Sequence, residues 1–264
     1  MEGPSIIILK EEVRLFTRKK IIKVAGNTKI DLKRLEGQTV QSFKSWGKHF
    51  LICFRGFSVR IHFLMFGSYR VNSRKDATPR LALTFKNGEL NCYTCSVQLI
   101  EGDLDEVYDW EVDVMGDQWN ETKAITTLKK LKKVIICDVL LDQEIFAGCG
   151  NIIKNEVLFR VSIHPETEVK ALNNAQLKQI VREVRAYSFD FYKWKKKFEL
   201  RKHWLIYTKK KCPQCGGPVS KKYTGKVSVD AGRRLPGGAG REKFHGSIAP
   251  DQEQSKYSTL NTAI

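Results

Sequence analysis

The chain opens Met1-Glu2-Gly3-Pro4, which sets an α-amine one residue from a carboxylate. An α-amine titrates at about 7.7–8.0 and a lysine amine at about 10.4. Near neutral pH a sizeable fraction of the former is therefore an uncharged nucleophile, able to attack an electrophilic carbon and form a Schiff base. The adjacent Glu2 is placed to donate or shuttle protons. Many chains begin Met-Glu, so the pair alone does not mark an active site. A second candidate lies far away, at Gly148-Cys149-Gly150-Asn151. The glycines permit tight turns, and Asn151 stands at the start of a helix, where free N–H groups bind phosphate. Lys154, one turn later, adds a charge. A third is Cys212-Pro213-Gln214-Cys215, which has metal-ligand spacing in a lysine-rich setting.

These residues must be carried by elements of two kinds. Up to about residue 110 the chain reads as β-rich. Phe50, Ile52 and Phe54 alternate, Arg55-Gly56 turns the chain, and Phe57, Val59 and Ile61 alternate again. Leu81, Leu83 and Phe85 repeat the pattern before Asn87-Gly88, a strong hairpin signal. Cys92 and Cys95 fall in a strand, point to opposite faces and read as small buried apolar residues. Ile6 to Arg18 reads as one helix, because Leu9, Val13 and Phe16 share a face. After about residue 115 the pattern turns helical. Asn120 is a helix cap ahead of Ile125, Leu128 and Leu131, and Leu177, Ile180, Val181 and Val184 mark another helix. Leu140 to Phe159 reads as helix, glycine turn, helix. Lys193 to Lys202 is a solvated basic face. Beyond Lys226 the chain is rich in Gly, Arg, Ser and Thr, so residues 227–264 are expected to be disordered.

With 264 residues there is room for two modest domains and an extension. The net charge of +17 and pI near 9.6 favour a polyanionic partner: DNA, RNA or an anionic membrane surface. No apolar stretch is long enough to span a membrane, and no secretory signal is expected. Seven cysteines, an odd number among apolar neighbours, suit reduced thiols in a cytoplasmic (nucleoid-associated if bacterial) or nuclear compartment.

Glu2-Gly3-Pro4 together with Leu140-Leu141-Asp142-Gln143…Ala147-Gly148-Cys149-Gly150-Asn151-Ile152…Asn155-Glu156-Val157-Leu158-Phe159 resembles the formamidopyrimidine-DNA glycosylase and endonuclease VIII family. The resemblance extends to about residue 226. It implies an α+β fold: an N-terminal β-sandwich with flanking helices (1–112), a helical DNA-binding domain with a helix–two-turn–helix (113–208), and a partial zinc-ribbon hairpin (209–226), with residues 227–264 as a tail.

The resemblance also assigns roles. The Met1 amine would sit where the family has a proline nitrogen, and Glu2 would shuttle protons. Ser5 replaces a second glutamate. Gly47-Lys48-His49 matches a loop whose lysine contacts phosphate and assists catalysis, which carries over to Lys48. Asn151 matches the phosphate-binding asparagine. Leu64, Met65 and Phe66 match a loop that fills the hole left by an everted base, offsetting the few kcal/mol that unstacking costs. Tyr93 to Leu99 has neither the Arg nor the Phe of the formamidopyrimidine branch, so the chain is closer to endonuclease VIII and to oxidised pyrimidines. Cys212 and Cys215 supply half of a four-cysteine zinc site.

The implied activity is a base-excision DNA glycosylase and abasic-site lyase. It would act as a monomer on double-stranded DNA bearing a damaged base or abasic site, away from any membrane. The competing readings are a damaged-DNA binding protein with little catalysis and a general nucleic-acid binder for which RNA matters more.

Overall fold

The computed structural model describes residues 1–224 and 227–232. Its first core lies between a helix and a sheet. Helix α1 (Gly3–Glu12) starts with Pro4, whose fixed φ and missing N–H suit the first turn. It buries Ile6 and Leu9, and Val13 and Phe16 continue the same buried face. The helix expected over Ile6–Arg18 is nonetheless shorter. After Glu12 the backbone tightens into a 3₁₀ turn, Val13–Phe16, and Arg18 at φ +60 ends it. The apolar spacing was correct, because a 3₁₀ turn keeps residues three apart on one face.

The sheet comprises β1 (Ile21–Ala25), β2 (Ser42–Trp46), β3 (His49–Cys53), β4 (Phe57–Val71), β5 (Leu81–Phe85) and β6 (Gly88–Glu101). The strands hydrogen-bond as one antiparallel sheet of six, in the order β1-β5-β6-β4-β3-β2. Both expected hairpins are present: β3 and β4 join through Arg55-Gly56, and β5 and β6 through Asn87. Within β4 the register jumps between Phe63 and Ser68, so Leu64, Met65, Phe66 and Gly67 stand opposite Thr94 of β6. Thr94 takes a left-handed φ of +49. This kink overturns the opposite-face expectation for Cys92 and Cys95: the alternation resets at Thr94, and both thiols enter the core shared with α1.

A second core gathers α2 (Glu121–Lys130), α3 (Ile136–Val139), α4 (Asn151–Arg160) and α5 (Asn174–Lys196). Asn120 caps α2 by accepting from Lys123 N–H at 2.9 Å. Asn173 caps α5 reciprocally with Gln176. The first half of the expected helix–turn–helix is much reduced. The preceding helix is the single turn α3, and residues 140–150 form turns, pinned where Gln143 accepts from Gly148 N–H and donates to Cys149 C=O. Past α5, the buried carboxylate of Glu156 accepts from the N–H groups of Leu205, Ile206 and Tyr207 at 2.9–3.0 Å.

A last pair of strands, β7 (Val219–Thr224) and β8 (Val227–Gly232), forms a hairpin. Disorder was expected from residue 227, yet 227–232 is a strand. Val227 and Val229 alternate with polar residues, a period-2 pattern that favours extended backbone. The rest of that expectation, residues 233–264, lies outside the described residues. No described helix is long and apolar enough to cross a membrane.

Candidate active site

Four segments meet where the two cores abut. The N-terminus is tied down by Gly3 N–H donating to Gly148 C=O at 2.9 Å. Glu2 then reaches into the start of α4. Its carboxylate accepts from Ile152 N–H at 2.7 Å and Ile153 N–H at 3.2 Å. Those are donors that the first turn of a helix leaves unpaired, and the helix dipole favours an anion there. The glycines explain how close the approach is. A Cβ on Gly150 would lie 2.5 Å from the Glu2 side chain, and a Cβ on Gly3 would lie 3.0 Å from the Gly148 backbone.

The two-residue turn between β2 and β3 delivers Lys48. Gly47 has φ +51, the conformation that a glycine at the first central position of a hairpin turn supplies. Its N–H donates to Asp113 Oδ2 at 3.2 Å. Lys48 itself is half-buried and lies close enough to the Met1 amine and to Glu2 to affect the protonation of both.

The electrostatics suit acid–base chemistry. Burial pulls the Met1 ammonium below the ordinary α-amine range. Lys48 and Lys195 push in the same direction, and Glu2 opposes them. Burial raises the Glu2 carboxyl above the ordinary range, against the opposing pull of the Ile152 and Ile153 amides and of Lys48. Desolvation disfavours the charged form of each group, so the amine tends toward free base and the carboxyl toward acid. Two histidines stand behind. His62 is held below its usual value by burial, by the Met1 amine and by Lys48. His49 is lowered to about 4, first by burial. Their rings meet edge-on at 5.3 Å, and His49 Nδ1 lies 3.2 Å from Tyr108 Oη.

Met1, Glu2, Lys48 and Asn151 thus gather in one place. Asn151 is the first residue of α4, half-buried, and its side-chain oxygen accepts from Lys154 Nζ at 3.0 Å. Lys154, expected to add a charge for DNA beside Asn151, is fully buried and buttresses Asn151 from inside. Leu64, Met65 and Phe66 ride on the β4 bulge, and Met65 and Phe66 are 87% and 83% exposed. Gly67 is required there, since a Cβ would lie 2.7 Å from both Phe63 Cβ and Thr94 O.

The cysteine pair is elsewhere. Cys212 is buried beside Phe159 and Ile206, and Cys215 is exposed. Among the described residues no three His, Cys, Asp or Glu side chains are grouped to hold a metal ion. Among the described residues Cys212 and Cys215 are two sulfur donors, half of what a tetrahedral zinc site takes.

Sequence reasoning did not single out His62, Lys195 or Asp113. His62 and Lys195 lay inside stretches read for other reasons. Asp113 carried no signal toward the site, because the partner it has there, Gly47, is 66 positions away.

The formamidopyrimidine-DNA glycosylase N-terminal domain model matches residues 9–96, and the formamidopyrimidine-DNA glycosylase H2TH domain model matches residues 112–187. The chain belongs to the formamidopyrimidine-DNA glycosylase and endonuclease VIII family. Endonuclease 8-like 3 of Mus musculus is 31% identical over 198 residues, which cover 72% of this chain and 33% of that protein. Endonuclease 8-like 2 of Bos taurus is 36% identical over 169 residues, covering 59% of this chain and 50% of that protein. The formamidopyrimidine-DNA glycosylase of Bacillus cereus is 26% identical over 182 residues, 63% of this chain and 64% of that protein. The chain thus spans about a third of the length of the endonuclease 8-like 3 relatives. The fold of this family member matches that of Lactococcus lactis formamidopyrimidine-DNA glycosylase, solved non-covalently bound to DNA containing an abasic site. The TM-score is 0.78 at 22% identity, covering 87% of this chain and 97% of that one.

Proposed function

We propose that this protein is a bifunctional DNA glycosylase and abasic-site lyase that removes oxidised bases, pyrimidines in particular, from double-stranded DNA. One observation carries the reading: the Met1 amine shares a partly buried site with the Glu2 carboxylate, which is anchored on the first turn of α4, and with Lys48. The unprotonated amine attacks C1′ of an everted nucleotide, and the C1′–N glycosidic bond breaks. The base leaves with the bonding pair and takes up a proton. The carboxyl of Glu2 protonates O4′, the sugar ring opens, and the nitrogen loses one proton to leave a C1′ iminium. Loss of a C2′ proton then expels the 3′ phosphate by elimination, and water releases Met1.

Lys48 and Asn151 hold phosphates beside the lesion, and Leu64, Met65 and Phe66 occupy the vacated stack. Phosphate contacts of this kind set register without reading sequence. The presence of two separate cores supports a division of the chain near residue 112, and a DNA substrate suits a cytoplasmic (nucleoid-associated if bacterial) or nuclear setting.

A second reading is a damage-binding protein of the same fold with little catalysis. It is favoured by Ser5, which is buried in α1 where the family carries a carboxylate. Borohydride trapping on abasic-site DNA separates the two. The enzyme gives a covalent adduct, whose mass spectrum maps the link to the amine of Met1, and acetylating that amine removes it. Binding with no adduct selects the second reading.

A further inference from the structure

The Gly47-Lys48 turn is too short to satisfy its own backbone. Trp46 pairs with His49 across it, which leaves the Gly47 N–H pointing away from the hairpin. That N–H is in a buried place, where a donor left unmet is destabilising. It is met from outside the hairpin by Asp113, a carboxylate 4% exposed, in the segment that leads from the sheet into the helical core.

The two oxygens of Asp113 divide the work. Oδ1 accepts from Met115 N–H two residues on, at 3.1 Å, which fixes the side-chain rotamer. Oδ2 is thereby aimed at Gly47. The same segment is laced to the glycine turn: Ala147 N–H donates to Val112 C=O, and Val114 N–H donates to Ala147 C=O. Gly47 is wedged against that turn so closely that a Cβ would lie 2.7 Å from Gly148 N. Gly148 in turn holds Gly3, one residue from Glu2.

We infer that Asp113 is a positioning residue for Lys48: its carboxylate sets the Gly47-Lys48 turn in register with the Met1–Glu2 pair, so that the lysine meets the phosphate beside the reacting sugar. This rests on the catalytic reading above. The cost of misplacing a group by an ångström reaches about a hundredfold in rate, so a slackened turn is visible in kinetics before it is visible in stability.

The test is a double-mutant cycle on the full chain with Asp113→Ala, Lys48→Ala and the pair. Asp113→Asn serves as a shape-conserving second variant, because its amide nitrogen would face one of the two N–H donors. Each is read in two ways: borohydride-trapping rate on abasic-site duplex, and affinity for duplex carrying a tetrahydrofuran abasic analogue. Both Asp113 variants are expected to lower rate and affinity about tenfold with Lys48 present, and by less than about twofold when Lys48 is alanine. Equal losses in both backgrounds would assign Asp113 to the scaffold alone and overturn the inference. If the unaltered protein binds but never traps, the catalytic reading falls, and the affinity cycle still decides the role of Asp113.

Discussion

At the scale of single residues, burial acts on two neighbouring groups of opposite charge and moves both toward their neutral forms. In the proposed mechanism the amine of Met1 reacts only as free base, so the rate should rise with pH through its depressed value. In the same mechanism Glu2 acts only as acid, so the rate should fall with pH above its raised value. Single-turnover trapping should therefore give a bell whose rising limb lies below the ordinary α-amine value of 8.0 and whose falling limb lies above 4.5. Glu2→Gln should flatten the falling limb and cut the rate by about 10²–10⁴, the usual worth of a positioned acid. Its melting temperature should fall slightly, since the amide nitrogen of Gln would face one of the two N–H donors, Ile152 or Ile153, that the carboxylate satisfies. Gly150→Ala tests the same contact from the other side. A Cβ there collides with Glu2, so trapping should drop while DNA affinity is largely kept.

At the scale of elements, the β4 bulge presents three apolar side chains on a rigid strand. Gly67 and the left-handed Thr94 make the bulge possible. Replacing Leu64, Met65 and Phe66 together by alanine should slow excision from duplex, where a base must be unstacked, by tenfold or so. Cleavage of single-stranded abasic DNA, which needs no wedge, should be nearly unchanged, and a gel-based cleavage assay on the two substrates reads the contrast. The strands and hairpins around the bulge were legible because alternation and Asn87-Gly88 are local signals. So was the cap at Asn120, whose change to Ala should cost about 1 kcal/mol in a denaturant melt. Two things were not legible. The shrinkage of the first helix in Leu140–Phe159 depends on side-chain bonds from Gln143 back to the backbone, which no periodicity reports. The shared core of Cys92 and Cys95 depends on a kink set by the partner strand.

At the scale of the whole molecule, the site exists only because two cores close on it. The amine and Lys48 come from one, and the anchoring helix α4 from the other. Family resemblance made Met1, Glu2, Lys48 and Asn151 legible as a set, since each sits in a short motif. The buried support from Asp113 and Lys154 was not, because support of this kind is defined by long-range burial and not by residue type. The high positive charge makes the salt dependence of binding informative. Lys48→Ala should reduce the slope of log affinity against log salt by about 0.9, because one counterion fewer is released. Asn151→Ala, which removes no charge, should weaken binding without changing the slope. A titration series at several salt concentrations separates the two.

The grip of Glu156 on the segment after α5 is made wholly with main-chain N–H groups, at Leu205, Ile206 and Tyr207. Every amino acid except proline brings that group, so the clasp is indifferent to which side chains occupy the three positions. It follows that a proline introduced at any one of them would forfeit a bond, and the C-terminal strand pair would lose a tether that owes nothing to a metal.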